Sequence, residues 1–252
     1  MFDKSAQLYD LFYAGKDYAG EAQKLQAIIR ERKRSEGSAM LDVACGTGGH
    51  AEFFKRLYEL DGLDLDKQLL ERARDRHPEI ELHQGDMIDF QLSKRFDVIV
   101  CLFSAIGYVR TADNLHRAIA NMCGHLKPGG VLIVEPWFDA DTYYPGMAHA
   151  AFVDTPSLKA CRMNVSRIEG GLSIIEFHYL VAAENETVSH FTERHELGLF
   201  SKDEHIQAFR KAGLEVSYDQ AGLTGRGLYI GVKTVTDRQS HQDAHGGKRT
   251  HA

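Results

Sequence analysis

Short apolar runs alternate with amphipathic segments along the first half of the chain. Residues 17–34 (DYAGEAQKLQAIIRERKR) place Ala22, Leu25, Ile28 and Ile29 on one face at helical spacing behind Asp17, which can act as N-cap, so a helix is predicted there. The charged and small residues RKRSEGS end it, and residues 39–44 read as a buried strand that runs directly into Gly46-Thr47-Gly48-Gly49. A helix over 50–60, a strand over 60–64 and a helix over 67–76, stopped by Pro78, follow. The alternation continues with a strand over 81–83, the loop Gly85-Asp86-Met87, an apolar strand over 96–102, a helix over 112–126, the turn Lys127-Pro128-Gly129-Gly130 and a strand over 131–137. Nearly continuous apolar strands separated by helices imply a parallel sheet covered on both faces, the doubly wound α/β architecture.

After Trp137 the rhythm changes. Residues 160–200 hold period-two stretches separated by Gly170-Gly171 and Glu184-Asn185-Glu186, the pattern of an antiparallel meander. Helix and strand return over 202–212, capped by Ser201 and closed by Gly213, then over 215–218 and 228–232. These bring the main sheet to seven strands, so the meander over 139–200 is read as an insertion. The expected division is an N-terminal segment 1–36, a main domain 37–138 with 201–233, the insert, and a tail 234–252 that is almost free of apolar residues and is expected to be disordered.

Composition narrows the function. The 252 residues carry a net charge of −6, a poor balance for a polyanion partner whose affinity rests on neutralised phosphates, so nucleic acid is excluded. No run approaches the roughly 18–20 apolar residues of a membrane span, and the start lacks the basic-then-apolar layout of a signal peptide; a cytoplasmic protein without a membrane partner is expected. Cys45, Cys101, Cys123 and Cys161 are scattered without zinc-like spacing and read as reduced, mostly buried thiols, with no metal site.

Strand, Cys45-Gly46-Thr47-Gly48 and helix form the turn of a nucleotide-binding α/β domain, where glycine lets a ligand approach the backbone and the helix offers free amides. Asp64 follows at the end of the second strand, placed to accept hydrogen bonds from a ribose diol. This much also fits NAD, since GTGGHA satisfies G-x-G-x-x-A, and a dehydrogenase remains a competitor on this motif. LDVACGTG, GLDLD, HQGDM and HLKPGGVLIVEPW together resemble class I S-adenosylmethionine-dependent methyltransferases, which implies a Rossmann-like fold for the seven-stranded sheet. The resemblance assigns Asp42, Ala44 and Gly46 to the methionine part of the cofactor, Asp64 to the ribose, and Asp86 with Met87 to the adenine. Asp42 has a second reading compatible with the first, capping the amides of the turn.

YDLFYAGKDYAGEA, DVACGTG, HQGDMIDFQL, FSAIGYV, VEPWF and GLTGRGLYIGV, in this order from about Ala6 to Lys233, resemble the bacterial N,N-dimethyltransferases of nucleotide-linked amino sugars, of the desosamine and mycaminose type. In that family an N-terminal segment folds over the cofactor, which implies that Tyr13 and Tyr18 close on it, with Phe103 as a further cofactor contact. Aromatic faces and phenol oxygens attract a sulfonium and exclude water; the alternative is that both tyrosines pack the first helix. Tyr108 stands where some relatives have His, so a His base does not carry over; Tyr108 either positions the amine or fills the rim, and with Tyr13 it is the expected catalytic residue. Arg226, flanked by glycines, is the expected phosphate ligand, with Arg167 of the meander assisting. Trp137 either stacks on the base, walls the pocket or packs in the core.

The expected reaction is in-line attack of a neutral amine on the methyl carbon, with S-adenosylhomocysteine departing. Orientation alone supplies on the order of 7–11 kcal/mol in such reactions, so no strong base is required, and no His–Asp or Cys–His pair stands out in the pocket motifs. The acceptor is expected to be a dTDP-linked amino sugar, with another small-molecule or heterocyclic amine as the alternative. The insert is expected to cover the pocket, to form a homodimer interface, or both.

Overall fold

The structure is a computed structural model that describes residues 5–234; the tail expectation over 235–252 lies outside the described residues. Eleven strands and six α-helices make two sheets among these residues. The seven-stranded sheet comprises β1 (Ala39–Val43), β2 (Glu59–Asp64), β3 (Glu81–Gln84), β4 (Phe96–Cys101), β5 (Leu126–Val134), β10 (Leu214–Asp219) and β11 (Leu228–Lys233), in the order β10-β11-β5-β4-β1-β2-β3. Pairing is parallel from β5 to β3 and antiparallel at β11 and β10. β1 is buried at every position, as expected for a central strand covered on both faces. Leu41 and Val43 join the core that holds Leu115, Ile119 and Phe209, while Met40 joins the opposite core with Leu25, Ile29 and Phe54.

Helix α2 (Tyr18–Arg32) starts where the sequence places it, with the Asp17 side chain accepting from Gly20 N, and α4 (Lys67–Arg76) matches its predicted bounds. α5 (Ala112–His125) and α6 (Lys202–Lys211) also stand close to expectation. Three readings change. The helix expected over 50–60 shrinks to α3 (Ala51–Phe54), because the chain must turn back early to enter β2. Residues 127–130 belong to the start of β5 rather than to a turn before it. A short helix α1 (Ala6–Phe12), not foreseen as an element, precedes α2.

The insert is a four-stranded antiparallel sheet of β6 (Ala148–Asp154), β7 (Leu158–Glu169), β8 (Leu172–Ala183) and β9 (Ser189–Gly198), in chain order. The sequence pattern gives three of these strands and misses β6. AHAAFVD is alanine-rich and lies mostly exposed on the sheet edge, so it shows little burial alternation to read. Among the described residues no helix is long and apolar enough to cross a membrane.

Candidate active site

In the main sheet the strand order reverses at β1 and β4, and the crevice past their carboxyl ends is where such sheets take ligands. A cavity of about 500 Å³ opens there. It is lined by residues that directly follow strand ends: Ala44 and Gly46 after β1, Asp64 at the end of β2, Asp86 and Met87 after β3, Phe103 after β4 and Trp137 after β5. Asp42, Tyr13, Tyr18, Tyr108 and Arg226 line the same cavity. Thus the structure brings together every site residue expected from sequence except one.

The turn after β1 is built for close approach. Ala44 and Gly46 both adopt left-handed backbone, with φ of 60° and 57°, which is strained for the alanine and free for the glycine. Gly46 N donates to Asp64 Oδ2 at 2.8 Å, and Asp66 N donates to Asp64 Oδ1 at 2.8 Å. The carboxylate that caps the turn is therefore Asp64, and the capping role considered for Asp42 falls to it. Each Asp64 oxygen keeps a lone pair, so two ribose hydroxyls can still donate to it. Burial raises the Asp64 carboxyl above its ordinary range, against the amides that pull it down.

Asp42 differs. Among the described residues no hydrogen bond reaches its buried carboxylate, and burial pushes its carboxyl up to about 7, with His50 pulling it down and Asp64 pushing it up. A desolvated carboxylate on a cavity wall fits a cationic ligand group such as the ammonium of S-adenosylmethionine. Asp86 accepts from Ile88 N at 2.9 Å, which fixes the loop beneath Met87. This donor set fits the expected cofactor: a cation partner, a diol partner and an apolar slot with backbone amides.

Helix α1 and the turn after it close over this wall. Asp10 accepts from the Thr47 hydroxyl at 2.6 Å and from the Arg76 guanidinium at 2.6 Å, tying α1 to the glycine turn. Tyr13 is the C-cap of α1, and its ring meets Phe103 edge-on at 5.0 Å and Tyr9 at 4.8 Å. Tyr18, the first residue of α2, packs on the turn so closely that a Cβ at Gly49 would lie 2.5 Å from its ring. Burial, with Asp10 and Glu21 nearby, pushes the Tyr18 phenol up to about 12. The two tyrosines therefore sit on a lid of helix, turn and helix.

The remaining wall carries the expected acceptor residues. Tyr108 lies in a 3-10 turn (Ala105–Val109), and its hydroxyl is 2.8 Å from His195 Nδ1. Trp137 donates its indole N–H to Ser173 Oγ at 2.9 Å, which makes it a fixed wall bonded to the inserted sheet. Arg226 lies 3.3 Å from Glu135 Oε1, with its guanidinium over the rings of Trp137 and Phe138. Its buried Nε has no partner among the described residues.

Arg167 is the exception and is corrected. It lies on the exposed side of β7, pairs with Glu169 and does not line the cavity. Arg162, five positions earlier and so on the opposite face of the strand, does. It donates to the Tyr13 hydroxyl at 3.2 Å and stacks on Phe12, Tyr13 and Phe177. Sequence reasoning also missed His195 and its neighbour Glu193 on β9, His50 bound to Glu21 at 2.8 Å, and Glu135. Histidines thus do reach the cavity, His50 bonded to Glu21 and His195 to Tyr108, in neither case as a His–Asp or Cys–His pair. Glu135, fully buried, accepts from Phe103 N at 2.7 Å, the Thr224 hydroxyl at 2.7 Å and Arg226, and so joins three of the sequence motifs. Phe103 and Ser104, with φ of 53° and 62°, are held in left-handed backbone by this bond and by Ser104 Oγ donating to Pro136 O at 2.8 Å.

Comparison with known proteins gives the same direction. A family model described as a methyltransferase domain matches residues 40–130. A dTDP-3-amino-3,4,6-trideoxy-alpha-D-glucopyranose N,N-dimethyltransferase of Streptomyces venezuelae is 43% identical over 230 residues, 90% of this chain and 97% of the relative. A dTDP-3-amino-3,6-dideoxy-alpha-D-glucopyranose N,N-dimethyltransferase of Streptomyces fradiae is 39% identical, covering 90% of each chain. Among solved structures, Streptomyces venezuelae DesVI superposes with a TM-score of 0.85 at 42% identity over 91% of this chain and 98% of that one. The S-adenosylmethionine-bound amino pentose methyltransferase CalS10 of Micromonospora echinaspora gives 0.80 at 34% identity over 90% and 97%.

Proposed function

The chain belongs to the S-adenosylmethionine-dependent methyltransferases, among the N,N-dimethyltransferases of dTDP-linked amino sugars, and on that premise we propose that it methylates the amine of such a sugar twice in a biosynthetic pathway of secondary metabolism. The observation that carries this reading is a single cavity whose walls combine a cofactor set with an acceptor set that includes the guanidinium of Arg226. When bound, S-adenosylmethionine supplies an electrophilic methyl on a sulfonium that is its own leaving group. Hydride transfer with NAD, the other use of such a glycine turn, is set aside by the family.

The roles assigned to the residues are part of the proposal. Asp42, Ala44 and Gly46 hold the methionine part, Asp64 the ribose, and Asp86 with Met87 the adenine. Tyr13, Tyr18 and Phe103 close on the cofactor and exclude water, which strengthens each electrostatic contact inside. Tyr108 orients the acceptor nitrogen. Arg226, held by Glu135, offers its guanidinium to a phosphoryl oxygen, and Trp137 walls the nucleotide side. Orientation and dryness do most of the work, since the leaving group needs no activation.

We also infer a homodimer through the inserted sheet. On its outer face Phe152, Cys161 and Leu180 are paired side by side, next to Ala150 with Met163 and Ala148 with Val165. Phe152 is 70%, Met163 46%, Val165 56% and Leu180 48% exposed, a contiguous apolar strip of the kind that marks an interaction site. A second copy suits it because the rim carries both signs of charge, in Asp154 with Lys159 and Arg167 with Glu169, as a self-complementary two-fold contact requires.

Mass spectrometry of a dTDP-amino sugar incubated with the enzyme and S-adenosylmethionine tests the acceptor. Gain of one and then two methyl groups is expected, and Arg226→Ala should raise KM for the nucleotide sugar by roughly tenfold or more while leaving cofactor affinity unchanged. Methylation of unphosphorylated heterocyclic amines alone, unaffected by Arg226→Ala, would move the assignment to another acceptor class.

A further inference from the structure

Tyr108 and His195 face each other across the cavity wall from two different parts of the chain, the 3-10 turn after β4 and strand β9 of the insert. One hydrogen joins Tyr108 Oη and His195 Nδ1 at 2.8 Å, and which atom donates it decides what Tyr108 offers the pocket. If Tyr108 donates to His195, the phenol oxygen turns only lone pairs outward and can accept an N–H from the acceptor amine. If His195 donates to Tyr108, the phenol O–H points outward and donates to the amine, occupying the lone pair that must attack. The two arrangements have opposite consequences for a nucleophilic nitrogen.

The surroundings select between them. Burial, with Tyr13 and Tyr179 close by, raises the Tyr108 phenol far above its ordinary range, so it keeps its proton and always has one to place. On the other side of the imidazole, the Glu193 carboxylate lies 3.9 Å from Nε2. Glu193 is itself fixed by the backbone N–H of Ser5 at 3.0 Å and by the Ser5 hydroxyl at 2.5 Å. A negative carboxylate on the Nε2 side favours the imidazole proton there, which leaves Nδ1 as the acceptor. His195 is almost fully buried and its ring rests edge-on against Phe177 at 5.1 Å, so it does not exchange its two nitrogens by turning over.

The geometry points to His195 as a positioning residue that sets the polarity of Tyr108, so that Tyr108 recognises acceptor nitrogens by an N–H they donate and methylation halts after two transfers. This rests on the amino-sugar reading and deepens it. Each turnover forms one N–C bond with the nitrogen lone pair, returns the carbon–sulfur electron pair to sulfur and releases one proton. A neutral primary amine has two N–H groups and a neutral secondary amine has one, so both can donate to Tyr108 while their lone pair faces the methyl. A neutral tertiary amine has none. It loses the contact that orients it, and a third transfer is not supported.

The tautomer is read directly by nitrogen-15 NMR of histidine-labelled full-length enzyme with S-adenosylhomocysteine, the His195 signals being assigned by their loss in a variant. Nδ1 should appear unprotonated and Nε2 protonated; a protonated Nδ1 overturns the inference. Two substitutions separate polarity from packing. In His195→Asn the side-chain oxygen reaches the Nδ1 position and can accept from Tyr108, so kcat should stay within about threefold and dimethylated product should persist. His195→Phe keeps the ring and removes the acceptor, so kcat should fall by roughly tenfold with cofactor affinity unchanged, and monomethyl product should accumulate. Equal kcat and product ratio in the Phe variant, or equal loss in both variants with unchanged thermal midpoints, would sink the idea. A wild-type enzyme that shows the expected tautomer but does not methylate any dTDP-amino sugar refutes the acceptor assignment instead.

Discussion

Two buried carboxylates at strand ends behave in opposite ways. Glu135 is fully buried and accepts three hydrogen bonds, one of them from the Arg226 guanidinium. Glu135→Gln replaces one acceptor oxygen with a donor that faces donors, at a cost of roughly 1–3 kcal/mol, and should lower the thermal midpoint by several degrees as followed by calorimetry. Asp42 has no such partners until a cation arrives. Its folded carboxyl stands at about 7 against an ordinary 3.8, so between those values the folded chain holds a proton that the unfolded chain releases. The stability this gives is full below pH 3.8 and is lost as pH rises through about 7. Asp42→Asn should therefore raise the midpoint of the cofactor-free protein at pH 8, by an amount that shrinks as pH falls toward 4. The same variant should weaken S-adenosylmethionine binding by about tenfold, and should abolish the gain in affinity that the wild type shows as pH rises through about 7. Melting curves at several pH values and titration calorimetry check both halves.

At the scale of elements, the lid is a short helix held by side chains from four places: Arg76 on α4, Thr47 in the glycine turn, Arg162 on β7, and Glu193 on β9, which accepts from Ser5 at the helix N-cap. A helix of this length is not stable by itself, so its docking contacts decide whether it stays closed. Arg162 contributes both a bond to Tyr13 and the stack on Phe12 and Phe177. Arg162→Leu should speed amide exchange over residues 6–13 and raise KM for the cofactor by roughly tenfold, while exchange in β1 and β4 stays unchanged; equal protection in both proteins would count against the lid. The elements also show what could be read beforehand. The β1 turn, Asp64 and the Asp86 loop were legible because local spacing sets them at strand ends, where the fold itself makes the crevice. Arg162, His195 and Glu193 were not, because they enter from an insert that docks through tertiary packing, with His195 lying 87 positions from Tyr108 and Arg162 149 positions from Tyr13, the residues they bond. One local signal was available: residues 162 and 167 are an odd number apart on one strand, so only one of them could face the pocket, and small Ala160 and Ser166 share the inward parity of Arg162.

For the whole molecule, a net charge of −6 and a nucleotide-linked acceptor are compatible because the cations that matter are placed inside the cavity rather than spread over a surface. The outer face of the inserted sheet carries an apolar strip bordered by His178 and by Glu176 opposite Arg194. Its inner face is committed to the cavity through Ile175, Phe177 and Tyr179, so the strands alternate between lining the site and presenting Phe152, Met163, Val165 and Leu180 outward. A stable two-fold contact needs about 800 Å² per partner, and a four-stranded face of this length can supply it. Dimerisation would then brace the wall that carries Arg162 and His195, coupling assembly to the geometry of the site. Phe152→Asp with Leu180→Asp places like charges at the centre of that contact on exposed positions that touch neither core. Sedimentation equilibrium should show the wild type as a dimer and the double variant as a folded monomer. The monomer should also have a lower thermal midpoint and a raised KM for the acceptor; a wild type that sediments as a monomer, or a double variant that remains dimeric, rejects this face as the interface.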